Sequence, residues 1–298
     1  MSVETLNAPA PTPTAAEENG VFSRSGVLRR LARDKVALVA ALLLATIGLA
    51  ALFAPLVAPY DPYLTDLTKV MQPPSAEHWF GTDNTGRDIL SRVIYGSRNT
   101  LMLGLVGVIL GGFLGGFLGI MAAYYRRLDG WIMRLVDVML AFPAILIGLA
   151  VAAIFGAGLT AVVIALVVAT VPDVARVARG AAIGIMSQEF MEAGRAVGVS
   201  DRTLIWRYLT LNCISTIFVF LTLRFGQIIL IGSALGFLGM GAQPPTAELG
   251  MMAAQGRDFL FMAPHIATIP SFAIFVIVLA ANLLGDALRD VLDPRLQT

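Results

Sequence analysis

The sequence predicts an all-α integral membrane protein. It has six transmembrane helices, an extracytoplasmic loop after the first, and a cytoplasmic helical loop between the fourth and fifth. Three observations carry this reading. Of the 298 residues, 57% are hydrophobic and 14% charged, whereas soluble domains carry roughly 25% charged residues. Uncharged runs of the length a bilayer demands, about 20 residues, recur along the chain. One polar stretch, 187–212, interrupts them with the makings of two short helices.

Residues 1–25 are rich in Ala, Pro, Thr and Glu and are expected as a disordered cytoplasmic tail. Residues 26–99 hold the first transmembrane helix and the extracytoplasmic loop. The run 36–59 contains no charge; it is too long for a signal-peptide core and lacks a small-residue cleavage site leading to a soluble domain. It is a retained span. Within the loop, 86–97 is expected as an interfacial helix with Ile89, Leu90, Val93 and Ile94 inward and Asp88 facing Arg92.

Residues 100–290 form a five-helix core. The second span, 100–123, carries Gly104, Gly107, Gly111, Gly115 and Gly119, with Gly112 and Gly116 alongside. Small residues at every fourth position let helix backbones approach closely in lipid, so this span belongs at a helix–helix contact, within the subunit or with a partner. No charge occurs from 138 to 172, too long a run for one helix. The break Phe155-Gly156-Ala157-Gly158 splits it into spans near 131–155 and 158–180. Runs 211–240 and 263–285 complete the six, and 291–298 is a cytoplasmic tail.

Basic flanks set the orientation. Arg24, Arg29, Arg30, Arg33 and Lys35 precede the first span, and Arg126 and Arg127 separate the second and third. Arg176, Arg179, Arg195, Arg202 and Arg207 separate the fourth and fifth, while Arg289 and Arg295 follow the sixth. Six spans place all four clusters on one side, so both termini and 187–212 are cytoplasmic. Arg87, Arg92 and Arg98 in the other loop run against the rule.

Within 187–212, Phe190, Ala193, Gly194 and Val197 recur at helical spacing, with Glu189, Glu192 and Arg195 on other faces. Gly198 breaks the run, Ser200 or Asp201 can cap a second helix, and Leu204, Ile205 and Tyr208 supply its apolar side. A membrane protein gains nothing from this excursion unless something soluble docks on it.

Chemistry is excluded more easily than assigned. There is no GxxxxGK[ST] loop, HExxH, GxSxG or CxxC, and His78, His265 and Cys213 are isolated. No catalytic group, metal site, bound cofactor or nucleic-acid surface is expected. Ion-coupled carriers place carboxylates deep in the bundle. Here Asp137 and Asp173 sit near helix ends beside Arg134 and Arg176, as charges that satisfy each other. An ion-coupled secondary carrier or a channel without an ATPase partner is the competing class, and it leaves the polar segment unexplained.

The segment EFMEAGRAVGVSDRTLIWRYL resembles the cytoplasmic loop of binding-protein-dependent ABC importer permeases, matched at Glu192-Ala193-Gly194 and again at Gly198. The blocks WFGTDNTGRDILSRVIYGSRNT (79–100), MRLVDVMLAFP (133–143), GFLGMGAQPPTAELG (236–250) and NLLGDALRDVLDPRL (282–296) resemble the C-type subunit of the dipeptide/oligopeptide/nickel branch. The resemblance implies a coupling helix that sits on an ATPase subunit, with Glu189, Glu192, Ala193, Gly194, Gly198 and Asp201 as the contact set. It also implies a homologous B-type permease partner, two ATP-binding subunits that use ATP and Mg, an extracytoplasmic substrate-binding protein, and a place in the cytoplasmic (inner) membrane. Two departures from the pattern stand out: Leu211 where proline is usual, and Ile231-Gly232 where an acidic residue often stands. Arg224, with Gln227 one turn on, lies inside the fifth span. It either lines the translocation path or makes a structural hydrogen bond within the bundle.

Overall fold

The computed structural model describes residues 34–292. The expected tail at 1–25, four of the five basic residues before the first span, and most of 291–298 lie outside them. Among the described residues the helices of two turns or more run in the order α1 (Lys35–Leu52), α2 (Ile89–Tyr124), α3 (Arg126–Leu140), α4 (Ala144–Phe155), α5 (Leu159–Met186), α6 (Glu189–Ala196), α7 (Asp201–Phe237), α8 (Leu249–Arg257) and α9 (His265–Leu292). Five of them, α1, α2, α5, α7 and α9, are long and apolar enough to cross a membrane.

The third expected span, near 131–155, is broken. Its two halves, α3 and α4, are bent 93° apart. Pro143 causes this: it has no N–H to continue the helix, and its ring pushes Phe142 away from helical angles. The twelve residues of α4 reach only about 18 Å, short of the ~30 Å hydrocarbon core. The split at Gly156 and Gly158 lies where the sequence places it, between α4 and α5.

The expected interfacial helix is not separate. Residues 89–97 are the first turns of the 36-residue α2, and the chain before it folds into a cap over that end of the bundle. The cap has a charged centre. The carboxylate of Asp83 accepts from Arg87 Nε at 2.7 Å and from the Thr85 and Arg87 backbone N–H groups at 2.8 and 3.0 Å, and lies 3.4 Å from Arg92 Nε. Asp88 does not pair with the Arg92 side chain. It caps α2 through Ser91 N (2.8 Å) and faces His78 Nδ1 at 3.0 Å. Arg92 is 2% exposed and also donates to Pro62 O. Two of the three arginines that run against the charge rule, Arg87 and Arg92, are therefore buried around one carboxylate, and Arg98 stays exposed.

Glycines of α2 set the bundle core. A Cβ on Gly107, Gly111, Gly115 or Gly119 would strike α5, and one on Gly104 or Gly112 would strike α7. The contact is thus within the subunit. Around it pack Leu103, Val108, Val162, Leu166, Ile228 and Leu235. At the cap end, Glu248 is 1% exposed and opens α8 by accepting from Gly250 N and Met251 N at 2.8 and 2.9 Å, while the Thr100 hydroxyl donates to it at 3.2 Å. Its carboxylate lies against the Gly236 backbone. A carboxylate therefore reaches the 236–241 block from across space, although residues 231–232 carry none.

Candidate coupling loop and intramembrane charge site

At the end of the bundle opposite the cap, α5 gives way to the short helix α6 and then to α7. The docking of α6 depends on Met191, which is fully buried with Ile120, Ala182, Leu204, Ile205, Leu209 and Cys213. Most of the apolar positions picked out by helical spacing are turned out: Phe190 and Val197 are 38% and 84% exposed, and Ala193 is exposed with Glu189 and Glu192. Only Gly194 of that set points inward; a Cβ there would meet Leu204 at 3.1 Å. Sequence spacing fits either face. The signal missed was the Met191/Gly194 pair, a large residue and a small one three apart against a neighbouring helix.

α6 ends in a Schellman turn. Val199 N–H donates to Gly194 O and Gly198 N–H to Arg195 O, both at 3.0 Å, with Gly198 at φ +81°. That left-handed angle is why a glycine stands there. Beyond it the second short helix is not separate: 201–237 is one helix, with a π-helical stretch Leu204–Leu209. Leucine at 211 leaves the backbone N–H that proline would remove, so no bend forms. Asp201 is tied back to α2, its Oδ1 accepting from the Tyr124 hydroxyl at 2.6 Å. Two glutamates in the first turn of α6 also suit the positive end of its dipole.

The charges inside the bundle pair differently from the sequence expectation. Asp137 takes Arg176 at 2.6 Å, whereas Arg134 stacks 6.0 Å from the Trp131 ring. Asp173 pairs with Arg224 of α7, and Arg224 Nη1 donates to Gln227 Oε1 at 2.6 Å. Arg224 thus has a carboxylate of its own chain instead of helix-end carbonyls. Asp129 holds Arg179 through two bonds, 2.6 and 2.7 Å. Among the described residues no group of His, Cys, Asp and Glu could hold a metal.

The model of the binding-protein-dependent transport system inner membrane component matches residues 115–298. That of the N-terminal transmembrane domain of oligopeptide transport permease C matches 25–74. The chain is an ABC importer permease of the dipeptide/oligopeptide branch. It is 43% identical over 274 residues to the glutathione transport system permease protein GsiD of Escherichia coli O6:K15:H31 (strain 536) and of Shigella boydii serotype 4 (strain Sb227). These alignments cover 90% of this chain and 89% of each relative. Among solved structures, the inward-facing MetNI methionine ABC transporter matches 68% of the chain and 97% of its own, at TM-score 0.56 and 19% identity. An amino acid ABC transporter with histidines matches 66% and 92%, at TM-score 0.51 and 20% identity. These two show the fold. The permease is the membrane component of such a system, and ATP hydrolysis belongs to a separate subunit.

Proposed function

We propose that this permease forms half of the translocation path of an ATP-driven importer for peptide-type substrates and is driven through residues 187–207. The observation that carries the reading is α6: a helix anchored by one buried methionine, with Phe190, Ala193, Val197, Glu189 and Glu192 turned outward. An apolar and acidic face on a fixed base suits a groove in a soluble ATPase. Because α6 packs directly on the start of α7, a push on it moves α7 as a body. A homologous B-type permease supplies the other half of the path, two ATP-binding subunits use ATP and Mg, and a binding protein delivers substrate to 60–99 and 241–262. The identity to permeases of glutathione transport systems supports the substrate class.

Six crossings fit this arrangement, with both termini cytoplasmic and the core at 100–290. α3 begins beside Tyr124, at the α6 end. The turn after α4 reaches the cap end, where Gly158 N–H donates to Met240 O at 3.1 Å. The bent pair therefore carries the chain from one end of the bundle to the other, as one broken span. The carrier reading loses ground here, because Asp129, Asp137 and Asp173 each hold an arginine and none is free to carry an ion.

The test is affinity purification of the permease from its own membranes in mild detergent, with mass spectrometry of what co-elutes. A second permease and ATPase subunits are expected, and Glu192→Lys should lose the ATPases while keeping the second permease. ATPases retained at wild-type yield in Glu192→Lys and in Val197→Asp would sink the assignment of the grip to α6. A chain that purifies alone and moves solute without ATP would sink the importer mechanism.

A further inference from the structure

Asp173 occupies the middle of α5, and Arg224 lies in the half of α7 nearer the cap. At 1.5 Å per residue Asp173 lies about 21 Å from the Leu159 end of α5 and about 20 Å from Met186, and Arg224 is about 20 Å from the Phe237 end of α7. Both are at hydrocarbon depth, where ionised groups persist only against protein or water. Yet the pair is open: the side chains of Arg224 and Asp173 keep 23% and 29% exposure. One turn away on the same helix, Arg176 and its partner Asp137 keep 60% and 61%, and Gln227 is exposed beside them. Two acids, two bases and an amide thus share an uncovered flank of α3, α5 and α7. Lipid cannot cover such a flank at tolerable cost; a watered path can.

The pair also differs in kind from its neighbour. Asp129 and Arg179 form a two-bonded fork of the sort that fixes one helix to another. Asp173 engages Arg224 through one nitrogen, Nη2. Arg224 spends a second on Gln227, and its buried Nε has no partner among the described residues. A guanidinium offers five N–H donors, so this one retains capacity for another acceptor. Asp173 follows Pro172 directly. Proline inside a helix removes one backbone bond and loosens the turn behind it.

We infer that Asp173 and Arg224 form an exchangeable latch on the wall of the translocation path. A substrate bearing both a carboxylate and an ammonium opens it by giving its carboxylate to Arg224 and its ammonium to Asp173. Peptides with free termini have this chemistry, so the inference deepens the peptide reading and rests on it. No charge is left unpaired during exchange, which is why a path with so many ionised groups can sit in the membrane. Asp173 holds Arg224 ready between passages; it is a specificity residue, not a helix-end charge.

The experiment uses the whole importer in membranes, with the single cysteine Cys213 replaced by alanine and Gln227→Cys as a reporter. Labelling rates are measured with one cationic and one anionic thiosulfonate, both impermeant to lipid. With the latch intact the ratio of the two rates should match that of a small thiol free in solution. Asp173→Asn should favour the anionic reagent about tenfold and Arg224→Gln the cationic one about tenfold, as expected for one uncompensated charge a few ångströms from the reporter. Both substitutions should slow uptake of glutathione tenfold or more, while ATP hydrolysis stimulated by the binding protein persists. The swap Asp173→Arg with Arg224→Asp guards against a folding defect: its labelling ratio should return to wild type. No labelling at Gln227→Cys in any background, or rates blind to the local charge, would overturn the latch. Labelling as expected with no peptide uptake even by the wild type would overturn the substrate reading and leave the watered, charge-paired wall standing.

Discussion

At the scale of single residues, Glu248 is the clearest case of a charge placed against its own solvation. Burial pushes its carboxyl above the usual glutamate range, against the pull of the Gly250 and Met251 N–H groups and the Thr100 hydroxyl. The sign for stability follows. From the ordinary glutamate value of 4.5 upward, the unfolded chain has released a proton that the folded chain retains, so stability falls with rising pH until the folded group also ionises. The slope cannot exceed about 1.4 kcal/mol per pH unit for one proton. Thermal unfolding of the detergent-solubilised permease should show this decline, and Glu248→Gln should flatten it; an unchanged slope would assign the decline elsewhere. Nothing in the sequence separates Glu248 from a loop carboxylate. Its burial comes from Gly236 and Thr100, which lie far away along the chain.

Elements were legible to the extent that a local cause set them. The glycine stripe of α2 announced a close helix contact because spacing alone makes a groove, but its partners, α5 and α7, required the fold. Its members are not equivalent. A Cβ on Gly119 would stand 2.3 Å from the Ala175 carbonyl oxygen and 2.8 Å from Ala178 Cβ, whereas one on Gly116 meets only Ile217 Cδ1 at 3.5 Å. Gly119→Ala should therefore cost about 1–3 kcal/mol of stability by forcing α2 and α5 apart, and Gly116→Ala about 0.5 kcal/mol or less. Melting of the two variants in detergent checks the contrast; equal midpoints would refute it. Where sequence and structure differ, one cause is local and the others are not. Pro143 ends the block 133–143 and is locally a helix stop. Face choice in α6 turned on Met191, whose neighbours come from three other helices. Arg224 and Asp173 are far apart in sequence and meet only when α5 and α7 pack.

On the scale of the whole molecule, the long apolar runs announced a helical membrane protein, since such a protein must satisfy its backbone internally in helices. Orientation is the part still carried by charge alone. A fluorescent protein fused after residue 298 should fluoresce in the cytoplasm, and alkaline phosphatase inserted near residue 75 should be active. An active phosphatase near residue 75 together with a dark fluorescent fusion after 298 would instead mean an odd number of crossings. The buried Asp83–Arg87–Arg92 centre bears on how this topology arises. Those arginines are masked only once the cap has folded, and acidic neighbours count for little while a nascent chain is being oriented. During insertion the loop therefore presents Arg87, Arg92 and Arg98 as bare retention signals, opposed by Arg24, Arg29, Arg30, Arg33 and Lys35 ahead of α1. For the proposed orientation to hold, the N-terminal cluster has to outcompete these three arginines before the cap closes over two of them.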